Sequence, residues 1–287
     1  MTADGRPHPR TFPGHGGIVL TADTWGEESS PPLVLLHGGG QTRHAWGRTG
    51  PGLAALGWRV IAPDLRGHGT SAWSADGDYD LGLFAADVRA LVAGLGDRPV
   101  LVGASLGGLS SLLAAGEAPR AAVRALVLVD VAHRPDPRGV RRIVEFMRRD
   151  PDGFAAVEEA AAAVSAHLPH RPRPSDREGI RNNLRRRGER WVWHWDPRLL
   201  DSFDGRMDPP GMAERLLDAA RRADAAILLV RGGISDVVGE DIAEEFCARV
   251  PTARRVDVAD AGHMVAGDRN DHFIEAVVPF LAGLGQQ

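Results

Sequence analysis

The sequence contains no lysine: all 34 of its basic residues are arginine. This excludes enzymes whose chemistry needs a lysine amine, among them Schiff-base enzymes, Ser-Lys amidases and P-loop nucleotide hydrolases. The single cysteine, Cys247, rules out an internal disulfide and a thiol pair for a metal. No stretch approaches the roughly 18 consecutive apolar residues that span a bilayer. The start, Met1 to Pro13, is polar and proline-rich, without the apolar core of a secretion signal. The expectation is a soluble, cytoplasmic protein with no membrane partner. A formal charge of −4 and a pI near 6.3 argue against a nucleic-acid partner. The basic runs Arg141-Arg142, Arg148-Arg149 and Arg185-Arg186-Arg187 read as solvated helix faces.

What is present suits one large α/β domain with an insertion, or two ordinary domains: 287 residues, 43% of them apolar. Short β-rich runs bounded by Gly, Pro or Asp recur at Leu33 to Leu36, Arg59 to Ala62, Val100 to Val102, Ala125 to Val129, Ile227 to Val230 and Arg254 to Val258. Between them lie helical faces such as Phe84, Val88, Leu91 and Leu95, and the chain ends in another at Phe273, Val277, Leu281 and Leu284. The alternation predicts a mostly parallel, doubly wound sheet covered on both sides. It fails between Asp130 and Arg222, where no buried strand is evident. A structureless loop of that length is improbable, so residues 134–220 are expected to form an inserted, mainly helical cap, with the core split into 1–133 and 221–287. The alanine-rich stretch Ala155 to Ala166 suits one of its helices.

After the strand at Val100 comes Gly103-Ala104-Ser105-Leu106-Gly107, followed by a helical run. In a strand, turn, helix context G-x-S-x-G is a sharp elbow that raises a serine oxygen above the carboxyl edge of a sheet, at a helix N-terminus that favours developing negative charge. His37-Gly38-Gly39-Gly40 directly follows another strand, and the amides of Gly39 and Leu106 are candidates for an oxyanion hole. His37 reads as scaffold with a possible substrate contact. Of eleven histidines the best placed general base is His263, on the loop before the last helix. His272 falls inside that helix, and His167, His170 and His194 fall in the insertion. The expected acid is Asp236, on the loop after the strand Ile227 to Val230, with Asp130 as rival. In the insertion, Trp191, Trp193 and Trp195 recur at spacing two. If extended, they share one face and could wall an apolar pocket, or anchor the insertion to the core.

On these motifs and on Asp64-Leu65-Arg66-Gly67-His68-Gly69, the sequence from about Gly16 to Gln287, apart from the insertion, resembles the α/β-hydrolase superfamily. The order Ser105, Asp236, His263 matches that fold. The resemblance implies two-step acyl transfer on a small-molecule ester, lactone or thioester through an acyl-enzyme on Ser105, with no metal or organic cofactor. A monomer or homodimer is expected, although the fold match itself does not supply the oligomeric state. Gly262 to Asp268 also resembles members labelled epoxide hydrolases or cofactor-free haloperoxidases. The epoxide hydrolase and dehalogenase readings conflict with a serine at the elbow, and the only tyrosine, Tyr79, precedes it. A perhydrolase and a carbon–carbon bond hydrolase keep the same triad. A non-catalytic receptor on this fold is the alternative from another class.

Overall fold

The computed structural model describes residues 5–167, 177–203, 210–268 and 270–284. Among the described residues ten strands are formed: β1 (His8–Pro13), β2 (Val19–Trp25), β3 (Pro32–Leu36), β4 (Arg59–Pro63), β5 (Val100–Ala104), β6 (Ala125–Val129), β7 (Leu184–Arg187), β8 (Arg190–Trp193), β9 (Ala226–Gly232) and β10 (Ala253–Val258). Eight make one sheet in the order β1-β2-β4-β3-β5-β6-β9-β10. β1 and β2 run antiparallel and β2 joins β4 antiparallel, whereas every pairing from β4 to β10 is parallel.

The inner parallel strands β3, β5 and β6 are apolar at every position because both faces are covered, whereas the edge strand β10 carries Arg254, Arg255 and Asp257. Val34, Leu36, Leu101, Leu126 and Leu128 face one side with Phe84, Val88 and Leu91 of the helix Leu81–Ala93. Leu33, Leu35, Val100, Val102, Val127 and Val129 face the other with Phe273, Val277 and Leu281 of the last helix. Asp80 caps the first of these helices, its side chain accepting from the Gly82 amide at 2.7 Å.

The six strands expected from apolar runs are all present, but β1 and β2 carry no such run. β1 is exposed at almost every position and contains Pro9 and Pro13, which an edge strand tolerates. In β2 the buried positions include Asp23, whose carboxylate pairs with Arg43 at 3.0 Å, so ionic pairing hides the strand from a hydrophobicity reading.

Between β6 and β9 lie the helices Pro137–Arg148, Val157–His167, Arg177–Arg181, Leu199–Ser202 and Met212–Arg222. Alongside these helices the insertion also holds a short hairpin that the sequence did not mark, β7 and β8 pairing antiparallel with Leu184 opposite Trp193. Arg185, Arg186 and Arg187 therefore stand on a strand, not on a helix face. The helix Met212–Arg222 is tied to the helix Leu106–Gly116 of the core, Arg215 Nε meeting Glu117 Oε1 at 2.6 Å just past its end. Among the described residues no helix is long and apolar enough to cross a membrane.

Candidate active site

Ser105 sits between β5 and the helix Leu106–Gly116 with φ 45° and ψ −116°. A non-glycine residue at positive φ is held there only when its surroundings fix it, at a cost of about 1–3 kcal/mol. The Ser105 amide donates to the Val129 carbonyl at 3.2 Å, and the Ser105 carbonyl accepts from Leu109 N at 3.0 Å. A Cβ on Gly107 would fall 2.4 Å from the Leu36 carbonyl oxygen, so the elbow helix can approach β3 only with glycine there. Leu106 opens the helix, and its N–H is one of the first-turn amides that no helical carbonyl can satisfy.

The residue after β6 is Asp130. Ala104 and Val129 pair in register, so Ser105 and Asp130 leave the sheet side by side. Asp130 is fully buried with φ 49°, a conformation aspartate tolerates better than most residues. Its Oδ1 accepts from the Gly232 amide at 2.8 Å. Its Oδ2 accepts from Ser235 Oγ at 2.5 Å and lies 2.8 Å from His263 Nδ1. The imidazole is thus oriented by Asp130, whose carboxylate accepts the hydrogen bond donated by the ring's Nδ1–H and so leaves Nε2 as the nitrogen with a free lone pair. The loop bearing His263 can close on β9 because residue 232 has no side chain: a Cβ there would come within 2.4 Å of the Gly262 carbonyl oxygen.

The expected pairing of Asp236 with His263 is not what the structure forms. Asp236 points outward, its side chain 41% exposed and ion-paired with Arg142 on the helix Pro137–Arg148. The cause is the turn after β9. Gly233 N, Ile234 N and Ser235 N donate to Val258, Ala261 and Gly232 carbonyls respectively, and this tight path turns residue 235 inward and residue 236 outward.

The His37 to Gly40 loop packs directly against the elbow, since a Cβ on Gly38 would lie 3.3 Å from Ser105 Cβ. Two of its three glycine amides are already used. Gly38 N donates to Gln41 Oε1 at 2.9 Å and Gly40 N to His68 Nε2 at 3.1 Å, which leaves Gly39 N between them. The expected substrate contact of His37 is corrected here. That ring is fully buried, Nδ1 donating to the Gly38 carbonyl at 2.8 Å and Nε2 accepting from Leu65 N at 2.9 Å, so no polar atom remains for a ligand.

His68 and His194 complete a cluster of buried rings around this loop, His68 lying 5.0 Å from His37 and 5.8 Å from His194 between centroids. His68 Nδ1 donates to the Arg66 carbonyl at 2.9 Å. His194 Nδ1 accepts from Gly69 N at 2.7 Å while Nε2 donates to the Gly40 carbonyl at 3.3 Å. Each ring uses one nitrogen as acceptor and is therefore neutral. Burial, joined by repulsion from His37 and His194, holds His68 well below the usual histidine value, and burial first pushes His194 down to about 3. Burial also lowers His37, against the pull of Asp64. These histidines are scaffold, and the motif Asp64 to Gly69 supplies one of them. His170 lies outside the described residues.

The insertion reaches the same loop. Met147, at the end of its first helix, stands where its Sδ would be 3.0 Å from a Cβ on Gly40, and Phe203 Cζ would be 3.5 Å from one on Gly39. Of the three tryptophans only two come together, Trp193 and Trp195 stacking with centroids 5.1 Å apart and planes at 10°. Both are buried, and Trp193 also meets Phe146 and Phe154 at 5.5 and 5.2 Å. Trp191 is separate: Arg181 and Arg186 lie over its ring at 5.2 and 5.0 Å. The three do not form one wall, because the strand ends at Trp193.

Among the described residues no group of three or more His, Cys, Asp or Glu is placed to hold a metal ion. Ser235 has no specific signal in the sequence, being only a serine three residues past β9, whereas His68 belongs to the Asp64 to Gly69 motif and takes the scaffold role expected of it.

A sequence profile for the alpha/beta hydrolase fold matches residues 31–269. The esterase Rv0045c of Mycobacterium tuberculosis is 34% identical over 275 residues, covering 90% of this chain and 85% of its own. The 3-hydroxybutyrate-oligomer hydrolase of Cupriavidus necator is 29% identical over 251 residues, covering 83% of this chain and 85% of its own. Among solved structures, E-2-(acetamidomethylene)succinate hydrolase superposes with a TM-score of 0.82 at 22% identity, over 96% of this chain and 99% of the other. The Mycobacterium tuberculosis esterase superposes with a TM-score of 0.76 at 32% identity, over 96% and 92%.

Proposed function

This chain belongs to the alpha/beta hydrolase fold family and is a hydrolase of that fold, and from that premise we propose that it cleaves small-molecule esters, lactones or thioesters through an acyl-enzyme on Ser105. The observation that carries the reading is the strained Ser105 elbow leaving the sheet beside Asp130, whose carboxylate holds His263 Nδ1 at 2.8 Å. His263 Nε2 takes the Ser105 proton as Oγ attacks the carbonyl carbon. Asp130 stabilises the imidazolium that forms, and the same ring then returns the proton to the leaving oxygen or sulfur. Water repeats the sequence on the acyl-enzyme, with His263 again as base.

The negative oxygen of each tetrahedral intermediate is bound by the amides of Gly39 and Leu106. Gly39 is the one amide of its loop whose neighbours are already committed to Gln41 and His68. Leu106 offers a first-turn helix amide. One such donor is worth roughly 3–4 kcal/mol in a serine protease. The cap portion of the insertion selects the substrate, since Met147 and Phe203 border the two glycines nearest the reacting carbonyl. The esterase relative supports ester cleavage over the other reactions open to the same triad.

Incubation with a fluorophosphonate, followed by mass spectrometry of the digested chain, tests the reading. The adduct is expected on the peptide bearing Ser105, together with loss of p-nitrophenyl butyrate turnover. An unmodified Ser105 in a protein that still turns over the ester would overturn it.

A further inference from the structure

Asp130 Oδ2 serves two partners at once. His263 Nδ1 approaches it at 2.8 Å and Ser235 Oγ at 2.5 Å. A serine hydroxyl has one proton and two lone pairs. The backbone N–H groups of Val237 and Val238 point at Ser235 Oγ from 3.1 and 3.2 Å and occupy those lone pairs. The hydroxyl proton therefore has one destination, the carboxylate, and Ser235 is a fixed donor, not a rotor.

The geometry points to Ser235 as a positioning residue of the proposed serine hydrolase site, holding the Asp130 carboxylate in one orientation beneath His263 and moderating the charge it presents to the ring. The inference rests on the reading of Ser105 as nucleophile, because only then does the orientation of His263 affect turnover. The donor is well anchored. Val237 and Val238 are buried, and the Val237 carbonyl accepts from Asp136 N at 2.8 Å where the insertion begins. Other charges near the turn are committed elsewhere: Arg231 Nε donates to the Val238 carbonyl at 2.9 Å, its outer nitrogen lies 3.6 Å from Asp257, and Asp236 pairs with Arg142. Among the described residues, Oδ1 of Asp130 is held by Gly232 N alone. Without the serine, the carboxylate keeps a single oxygen fixed and its other oxygen answers only to histidine.

Two substitutions of nearly the same shape isolate the hydroxyl, Ser235→Thr keeping it and Ser235→Val removing it. Relative to the threonine variant, the valine variant is expected to react with diisopropyl fluorophosphate about tenfold more slowly at Ser105, with KM for p-nitrophenyl butyrate unchanged within about twofold. Its acidic limb should move to higher pH by about half a unit, because a carboxylate that has lost a donor stabilises the imidazolium more. The same shift should appear in the titration of His263 followed by NMR of 15N-histidine protein, which needs no turnover. Ser235→Ala repeats the comparison if the valine variant does not fold. Identical labelling rates and His263 titrations in the hydroxyl-bearing and hydroxyl-free variants would overturn the assignment. If wild-type Ser105 takes no label while the His263 titration still differs between the variants, the positioning role stands and the serine-hydrolase reading falls.

Discussion

The strand ends and the insertion between β6 and β9 are built by different rules. At the strand ends, Ser105, Asp130 and His263 are placed by backbone: strand register, an elbow at positive φ, and glycines where a Cβ would meet a carbonyl within 2.4 Å. In the insertion, placement comes from side chains, with Phe146, Phe154, Trp193 and Trp195 packed ring on ring. It meets the candidate site at the His37 to Gly40 loop, through Met147, Phe203 and His194. A backbone-built site tolerates almost no change in its geometry, whereas a side-chain-built wall can be repacked. Reaction type should therefore be a property of the strand ends, and substrate choice a property of the insertion.

The largest expected effect lies at the strand ends. Ser105→Ala should lower turnover of every ester by at least about a thousandfold while leaving the melting temperature within a few degrees, since the elbow needs its glycines but only the chemistry needs the hydroxyl. Loss confined to long esters would break the division between the two regions.

A smaller, selective effect is expected in the insertion. Phe203→Ala opens space beside Gly39, and kcat/KM for octanoyl relative to acetyl p-nitrophenyl esters should rise about tenfold, equivalent to one or two buried methylenes. Trp195→Ala, which removes a buried stacking partner of Trp193, should instead lower the melting temperature and affect all chain lengths alike. A reversal of the two outcomes would exchange the roles of wall and packing.

The smallest effect is on stability against pH, where the buried histidines couple the regions. His37, His68 and His194 have folded-state values below the usual 6.5, His194 at about 3. Below about 6.5 the unfolded chain binds protons that the native chain refuses, so stability falls as pH falls, from about 6.5 down toward 3. Chemical denaturation at pH 7, 6 and 5 should show decreasing stability, with a shallower slope in His194→Asn. An equal slope in the variant would remove His194 from the cause.

Much of the strand-end site was legible in the sequence because a sharp elbow forces glycines into fixed spacing around Ser105, and because His263 follows a recognisable last strand. The acid was not, because Asp130 and Asp236 both follow parallel strands. Which of two neighbouring residues turns inward depends on the hydrogen bonds of the turn at Gly233 to Ser235, which spacing does not encode. The hairpin of β7 and β8 escaped notice for a similar reason: its strands are short, arginine-rich and mostly exposed, so neither alternation nor an apolar run marks them. β1 and β2 are hidden by proline and by a buried ion pair.

The central claim is that the carboxylate serving His263 comes from β6. The most direct test measures kcat/KM for p-nitrophenyl butyrate in Asp130→Asn and Asp236→Asn side by side. In a serine protease the amide in place of the acid costs about 10⁴ by leaving histidine in the wrong tautomer. Asp130→Asn is expected to lose a factor of hundreds or more, and Asp236→Asn less than about threefold, the scale of an exposed ion pair with Arg142. A large loss in Asp236→Asn with near-normal activity in Asp130→Asn would contradict the account.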